Sequence, residues 1–143
     1  MSSCLHVMGL GPSGMEQLTL GNYRRICGAK KIFARTAEHP CVQELMAEGI
    51  CVESFDEIYT KKPSFEAVYE SITEQLRKEL EKSSEVIYVV PGHPMVAEMT
   101  VQLIGEKLAH DYEVVIHPAM SFVDGIFRVL KFDPIGRGGH TKL

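Results

Sequence analysis

The sequence predicts an α/β domain built on a five-stranded, mostly parallel sheet with helices on both faces. Three observations lead there. Apolar runs of strand length alternate with segments of helical periodicity along the chain. Helical connections between successive strands require parallel pairing and place helices on the sheet faces. Three of the runs end in glycine- or proline-rich turns: Gly9-Leu10-Gly11-Pro12-Ser13-Gly14, Pro91-Gly92-His93-Pro94 and His117-Pro118-Ala119-Met120-Ser121. In open α/β sheets ligands lie beyond the carboxyl ends of the strands. Three such turns therefore suggest one rim that holds a small molecule by backbone edges.

Taken in order, Cys4–Met8 reads as a buried strand and Thr19–Lys30 as a helix capped by Thr19. Lys31–Ala34 is a short second strand. Pro40–Glu48 is helical, with Val42, Leu45 and Met46 at suitable spacing and Gly49 just past its end. Ile50–Phe55 is a third strand, and Asp56–Ser64, with two lysines and a proline, reads as a loose connection. Ser64–Lys82 is the clearest helix, because Phe65, Val68, Tyr69, Ile72, Leu76 and Leu80 form one stripe. Glu85–Val90 is the most continuously apolar strand and belongs at the sheet centre. Met95–Ala109, Tyr112–Ile116 and Ser121–Leu130 complete the pattern as helix, strand and helix. Residues 1–134 are expected to form the lobe. Residues 135–143, glycine-rich and aperiodic, are expected to be a disordered tail or the point where a longer chain was cut.

At 143 residues, 45% hydrophobic and 24% charged, the chain suits one globular domain. Its net charge is −4, and Lys30-Lys31 and Lys61-Lys62 are isolated pairs read as solvated faces. That argues against nucleic acid as a partner. Cys4, Cys27, Cys41 and Cys51 show no C-x-x-C spacing and are expected to be buried small hydrophobes in a reducing compartment. No run reaches membrane-span length, and Met1–Cys4 leads directly into a strand without room for a signal peptide. A cytoplasmic location is the expectation.

Gly9-x-Gly11-x-x-Gly14 also matches the dinucleotide fingerprint in form. The helical pattern, however, starts only near Thr19, and the second strand runs into Arg35-Thr36 where an acidic residue would be expected. A plain structural turn is a further reading of the same residues.

Gly9-Leu10-Gly11-Pro12, Leu18-Thr19-Leu20, Val89-Val90-Pro91-Gly92-His93-Pro94 and Ile116-His117-Pro118-x-x-Ser121 together resemble the tetrapyrrole (corrin/porphyrin) methylase family. Within it, Glu38-His39-Pro40 and Ser54-Phe55-Asp56 look like the methylase-like domain that precedes a MazG-type nucleotide pyrophosphohydrolase. The resemblance implies the first of two α/β lobes that enclose S-adenosylmethionine. It implies that Pro12 faces the cleft near the methyl acceptor, that Gly92, His93, Pro94, Met95 and Val96 line the cofactor, and that Ser121 and Phe122 sit beside its adenosine or methionine part. It names no catalytic side chain, since transfer from a sulfonium rests chiefly on positioning.

The implied function is methyl transfer to a small molecule that the sequence does not identify. A non-catalytic sensor or interaction domain governing an attached nucleotide pyrophosphohydrolase is the alternative. Neither reading calls for a metal. An isolated lobe would expose an apolar face, so a homo-oligomer using the missing lobe's surface is expected.

Some residues depart from the family pattern. Gly11-Pro12-Ser13-Gly14 replaces Gly-Pro-Gly-Asp, and His93 stands where Asp is usual. Ala119 replaces a glycine, which would crowd that turn if it needs positive φ. His93 and His117 are expected at the ends of strands that could be adjacent, as rim residues, with a shared metal or proton transfer by His93 as further readings. Glu98 and Asp124, each expected one turn into a helix, could face a cation or simply complement a helix dipole. Met95, Met99 and Met120 are expected to fill core or pocket.

Overall fold

A computed structural model describes residues 3–96, 98–131, 133 and 135. The expected tail, from 136 onward, and the expected lobe boundary at Pro134 lie outside the described residues. Five strands, β1 (Cys4–Gly9), β2 (Ile32–Ala34), β3 (Val52–Ser54), β4 (Glu85–Val90) and β5 (Glu113–His117), form one sheet in the order β3-β2-β4-β1-β5. Every pairing is parallel.

The helices are α1 (Leu20–Cys27), α2 (Pro40–Ala47), α3 (Asp56–Lys61), α4 (Phe65–Lys82), α5 (Met99–Leu108) and α6 (Phe122–Leu130), and a short 3-10 turn runs over Met15–Gln17. Side chains alternate across the strands and divide the core in two. Leu5, Val7, Phe33, Tyr88 and Val90 pack with Val68, Ile72 and Leu76 of α4 and Val101 and Ile104 of α5. On the other face Met8, Ile32, Ile87 and Val89 pack with Ile26 of α1 and Val42 and Leu45 of α2. β4, paired on both sides and buried from Val86 to Val90, holds its expected inner position.

Helix ends follow the local chemistry. The Thr19 side chain accepts from Asn22 N–H, and the Ser64 side chain from Ala67 N–H. Gly49 takes φ +94° just after α2, as a helix stop requires.

Several expectations are corrected. Asp56–Lys61 is a helix, α3, rather than a loose connection. α5 begins at Met99, because Pro94 opens a turn in which Val96 N–H donates to His93 C=O. Of the cysteines only Cys41 is buried, Cys27 and Cys51 being exposed at element ends. Met95, Met99 and Met120 are exposed rather than core filler. None of the helices described is long and apolar enough to cross a membrane.

Candidate functional site

The three turns meet at the carboxyl ends of β1, β4 and β5, and they interlock. Gly11 and Gly92 exchange backbone hydrogen bonds, N to O at 3.2 and 2.8 Å, at φ +80° and +63°. A left-handed backbone at both positions is what glycine permits. Gly9 leaves the room in which the turns approach: a Cβ there would overlap Gly92 O and stand 2.5 Å from Ala119 Cβ. Ala119 itself has no positive φ, so the crowding expected there is absolved by Gly9.

Two buried polar side chains, neither assigned a role from sequence, fasten this arrangement. Asn22 of α1 donates from Nδ2 to Gly9 O at 3.1 Å and to Pro118 O at 3.2 Å, joining the first and third turns. His39 accepts Cys41 N–H on Nδ1, capping α2, so its Nε2–H donates to Gly11 O at 3.1 Å. Burial lowers the His39 pKa; the Gly11 contact opposes that and the Arg35 charge adds to it.

Beside the interlock lies a cleft of about 240 Å³. Pro12, Gly92 and His93 line it from the first two turns, and Ser121 and Phe122 from the third. Val96, Pro91 and Glu98 complete the lining. Six of the eight residues that the resemblance places at the cleft, all but Pro94 and Met95, therefore share it. Pro94 does not line it: buried, with its Cδ 3.0 Å from where a Gly9 Cβ would stand, it packs behind the turn.

Each polar group in the cleft has a local commitment. His93 Nδ1 accepts Met95 N–H at 3.0 Å. Ser121 Oγ accepts Val123 N–H, while Asp124 Oδ2 accepts Ser121 N–H at 2.7 Å, a capping box. Asp124 thus serves its own helix terminus. Glu98, 8% exposed, lies at the start of α5 without capping it. Burial raises its pKa, opposed by Arg35, whose Nε lies 3.2 Å from Glu98 Oε1. That contact is an ion pair and not an aligned hydrogen bond, since Arg35 Nε, like the fully buried Tyr88 Oη, has no hydrogen-bond partner among the described residues.

His93 and His117 are not brought together. β4 and β5 lie on opposite sides of β1. His117 Nε2, at the end of β5, instead meets His6 Nδ1 of β1 at 2.9 Å. Among the described residues no three His, Cys, Asp or Glu side chains are grouped to hold a metal. At Gly14, where the family pattern has an acid, a Cβ would collide with the carboxylates of Glu16 and Glu44, and Glu44 Oε1 accepts Met15 N–H at 3.2 Å.

Comparison with known proteins finds a matching family and solved structures of the same fold. The family model for tetrapyrrole (corrin/porphyrin) methylases matches residues 4–141. An uncharacterized protein of Bacillus subtilis, YabN, is 42% identical over 136 residues, covering 94% of this chain and 28% of its own length. A uroporphyrin-III C-methyltransferase from Thermus thermophilus superposes with a TM-score of 0.65 at 25% identity, over 96% of this chain and 57% of that one. A Thermus thermophilus structure of that enzyme complexed with S-adenosylhomocysteine also scores 0.65, at 20% identity, over 95% and 55%. The chain spans little more than half of these structures and about a quarter of the curated relative.

Proposed function

The chain belongs to the tetrapyrrole (corrin/porphyrin) methylases, and from that premise we propose that it is the cofactor-binding lobe of an S-adenosylmethionine-dependent methyltransferase acting on a small molecule. The observation that carries the reading is the cleft built on the Gly11–Gly92 bridge. Its wall at Gly92 is bare backbone, and a Cβ there would approach only Ser121 Cα, at 3.9 Å. The residues fit the cofactor: backbone edges for polar groups, Pro12, Val96 and Phe122 for apolar ones, and the Glu98 carboxylate for a cation. At about 240 Å³ the cleft is smaller than the ~300–1,000 Å³ of closed pockets for molecules of this class. One lobe would supply one wall.

When bound, the cofactor supplies a methyl group already activated on a sulfonium. The chain's own residues position and shield. The Gly11–Gly92 hydrogen bonds fix the Gly92 backbone before a ligand arrives, which lowers the ordering cost of binding. Phe122, half exposed at the mouth, and Val96 exclude water. Glu98 attracts positive charge, and His93, its Nδ1 committed to Met95, keeps Nε2 toward a ligand.

Calorimetric titration with S-adenosylmethionine and S-adenosylhomocysteine tests the reading. Binding that Gly92→Val abolishes is the expected result, and absence of heat from both ligands contradicts it. The glycine at position 14 favours a second reading, a non-catalytic sensor using the same cleft: ligand binding without methyl transfer by the full-length protein would select it.

Self-association is a further proposal. α6 has no buried residue, and Phe122, Ile126, Val129 and Leu130 expose an apolar stripe at helical spacing. Sedimentation equilibrium is expected to show a dimer that Ile126→Asp weakens; a strict monomer at high concentration contradicts this.

A further inference from the structure

A second cavity, of about 580 Å³, opens at the other end of the sheet, where the strands begin. Its origin is a gap in the pairing. β4 pairs with β1 along all of Glu85–Val90 but with β2 only at Tyr88 and Val89. The first half of β4 therefore has no strand on that side, and the sheet opens into a wedge beneath the end of α1.

The wedge is lined by Arg24, Arg25, Lys30 and Lys31. Its two carboxylates are already engaged: Glu79 by Lys31 and Lys82, at 3.8 and 3.6 Å, and Glu85 by His6 at 3.1 Å. Lys31 is also held by Glu53 at 3.1 Å. Arg24, Arg25 and Lys30 enter no ion pair among the described residues. Cations in the last turn of α1 complement its dipole, which explains Arg24 and Arg25 singly. It does not explain why Lys30, from the following loop, converges on the same cavity. Three cations without an ion-pair partner among the described residues, gathered around one concavity where basic side chains outnumber acidic ones in a chain of net charge −4, mark a place for an anion. Two guanidiniums with an ammonium match the charge and fork geometry of a phosphoryl group better than of a single carboxylate.

We propose that this wedge, remote from the cofactor cleft, binds a small phosphorylated molecule through Arg24, Arg25 and Lys30. The proposal is independent of the methyltransferase reading, and its volume admits anything from free phosphate to a nucleotide. Lys30, read from sequence as part of a solvated Lys30-Lys31 face, would then be one of the three cations of an anion site.

Calorimetry at low salt with inorganic phosphate, pyrophosphate and ADP, and with acetate as control, tests it. Binding of at least one phosphoryl ligand but not of acetate is expected, with Arg25→Ala/Lys30→Ala weakening it by roughly tenfold or more and Gly92→Val leaving it unchanged. ADP well above pyrophosphate would identify an ester as the ligand class, and parity would identify the free anion. No phosphoryl binding, or binding indifferent to the double variant, overturns the proposal. The substituted side chains are exposed, and an unchanged melting temperature will show that the variant is folded.

Discussion

The missing side chain of Gly9 is where the carbonyl of Gly92 sits: any Cβ at Gly9 would overlap that oxygen. The first and second turns are therefore locked by steric exclusion as well as by the Gly11–Gly92 hydrogen bonds. Gly9→Ala is expected to destabilise the fold by about 1–3 kcal/mol, as overpacked positions do, and to weaken cleft ligands in parallel. Gly21→Ala, in α1 with open space around it, is the control and is expected to stabilise by about 0.5–1 kcal/mol. Chemical denaturation of the two variants checks the contrast.

Asn22→Leu removes the donor shared by Gly9 O and Pro118 O and leaves buried acceptors unpaired. A loss of about 1–3 kcal/mol is expected. Because the two carbonyls belong to different turns, affinity for S-adenosylhomocysteine should fall as well. A variant that melts early yet binds normally would show that Asn22 supports the fold alone.

His39 gives the domain an acid sensitivity with a definite sign. Its folded pKa is lowered, chiefly by burial, so below the ordinary 6.5 the unfolded chain takes up a proton that the folded one resists. The stability contributed by neutral His39 is fully present above about pH 6.5 and is lost as pH falls toward the lower folded value. His117, lowered by burial and then by Arg25 and His6, acts in the same direction. His39→Ala should cost roughly 2 kcal/mol at pH 7.5, from the lost α2 cap and the unpaired Gly11 carbonyl. Denaturation between pH 7.5 and 5 should then show a shallower slope than for the parent chain.

Glu98 faces the cleft with a carboxylate that discriminates charge. Glu98→Gln is expected to weaken S-adenosylmethionine, a cation, by roughly threefold to tenfold, while changing neutral-sulfur S-adenosylhomocysteine much less. Equal losses for both ligands would place Glu98 away from the sulfonium. The same substitution removes a buried charge whose pKa is raised by burial, so the stability that the parent chain loses as pH climbs above the ordinary carboxylate range of about 4.5 should be lost less in the variant.

Most of the fold was legible because its signals are local. Period-two and period-3.6 patterning located all five strands and five of the six helices, and Thr19 announced its cap. α3 escaped because it is only six residues long, follows Phe55, which offers no side-chain cap, and is followed by Lys62 and Pro63. The cleft was legible as turns in sequence, since glycine and proline mark where backbone must approach backbone. What holds the turns together was not. Asn22 bonds to Pro118 across 96 residues, and His39 to Gly11 across 28. An asparagine inside a helix reads as polar surface until the fold shows that it points inward. The Arg35–Glu98 pair and the cationic wedge depend in the same way on strand order, which no local pattern encodes.

The most direct test of the central claim is amide NMR of the chain titrated with S-adenosylhomocysteine. Shifts are expected at Gly92, His93, Val96, Ser121 and Phe122, with Gly28, Lys30 and Glu85 at the far end of the sheet undisturbed. Shifts centred on those far-end residues, or none around Gly92, would contradict a cofactor cleft built on the interlocked turns.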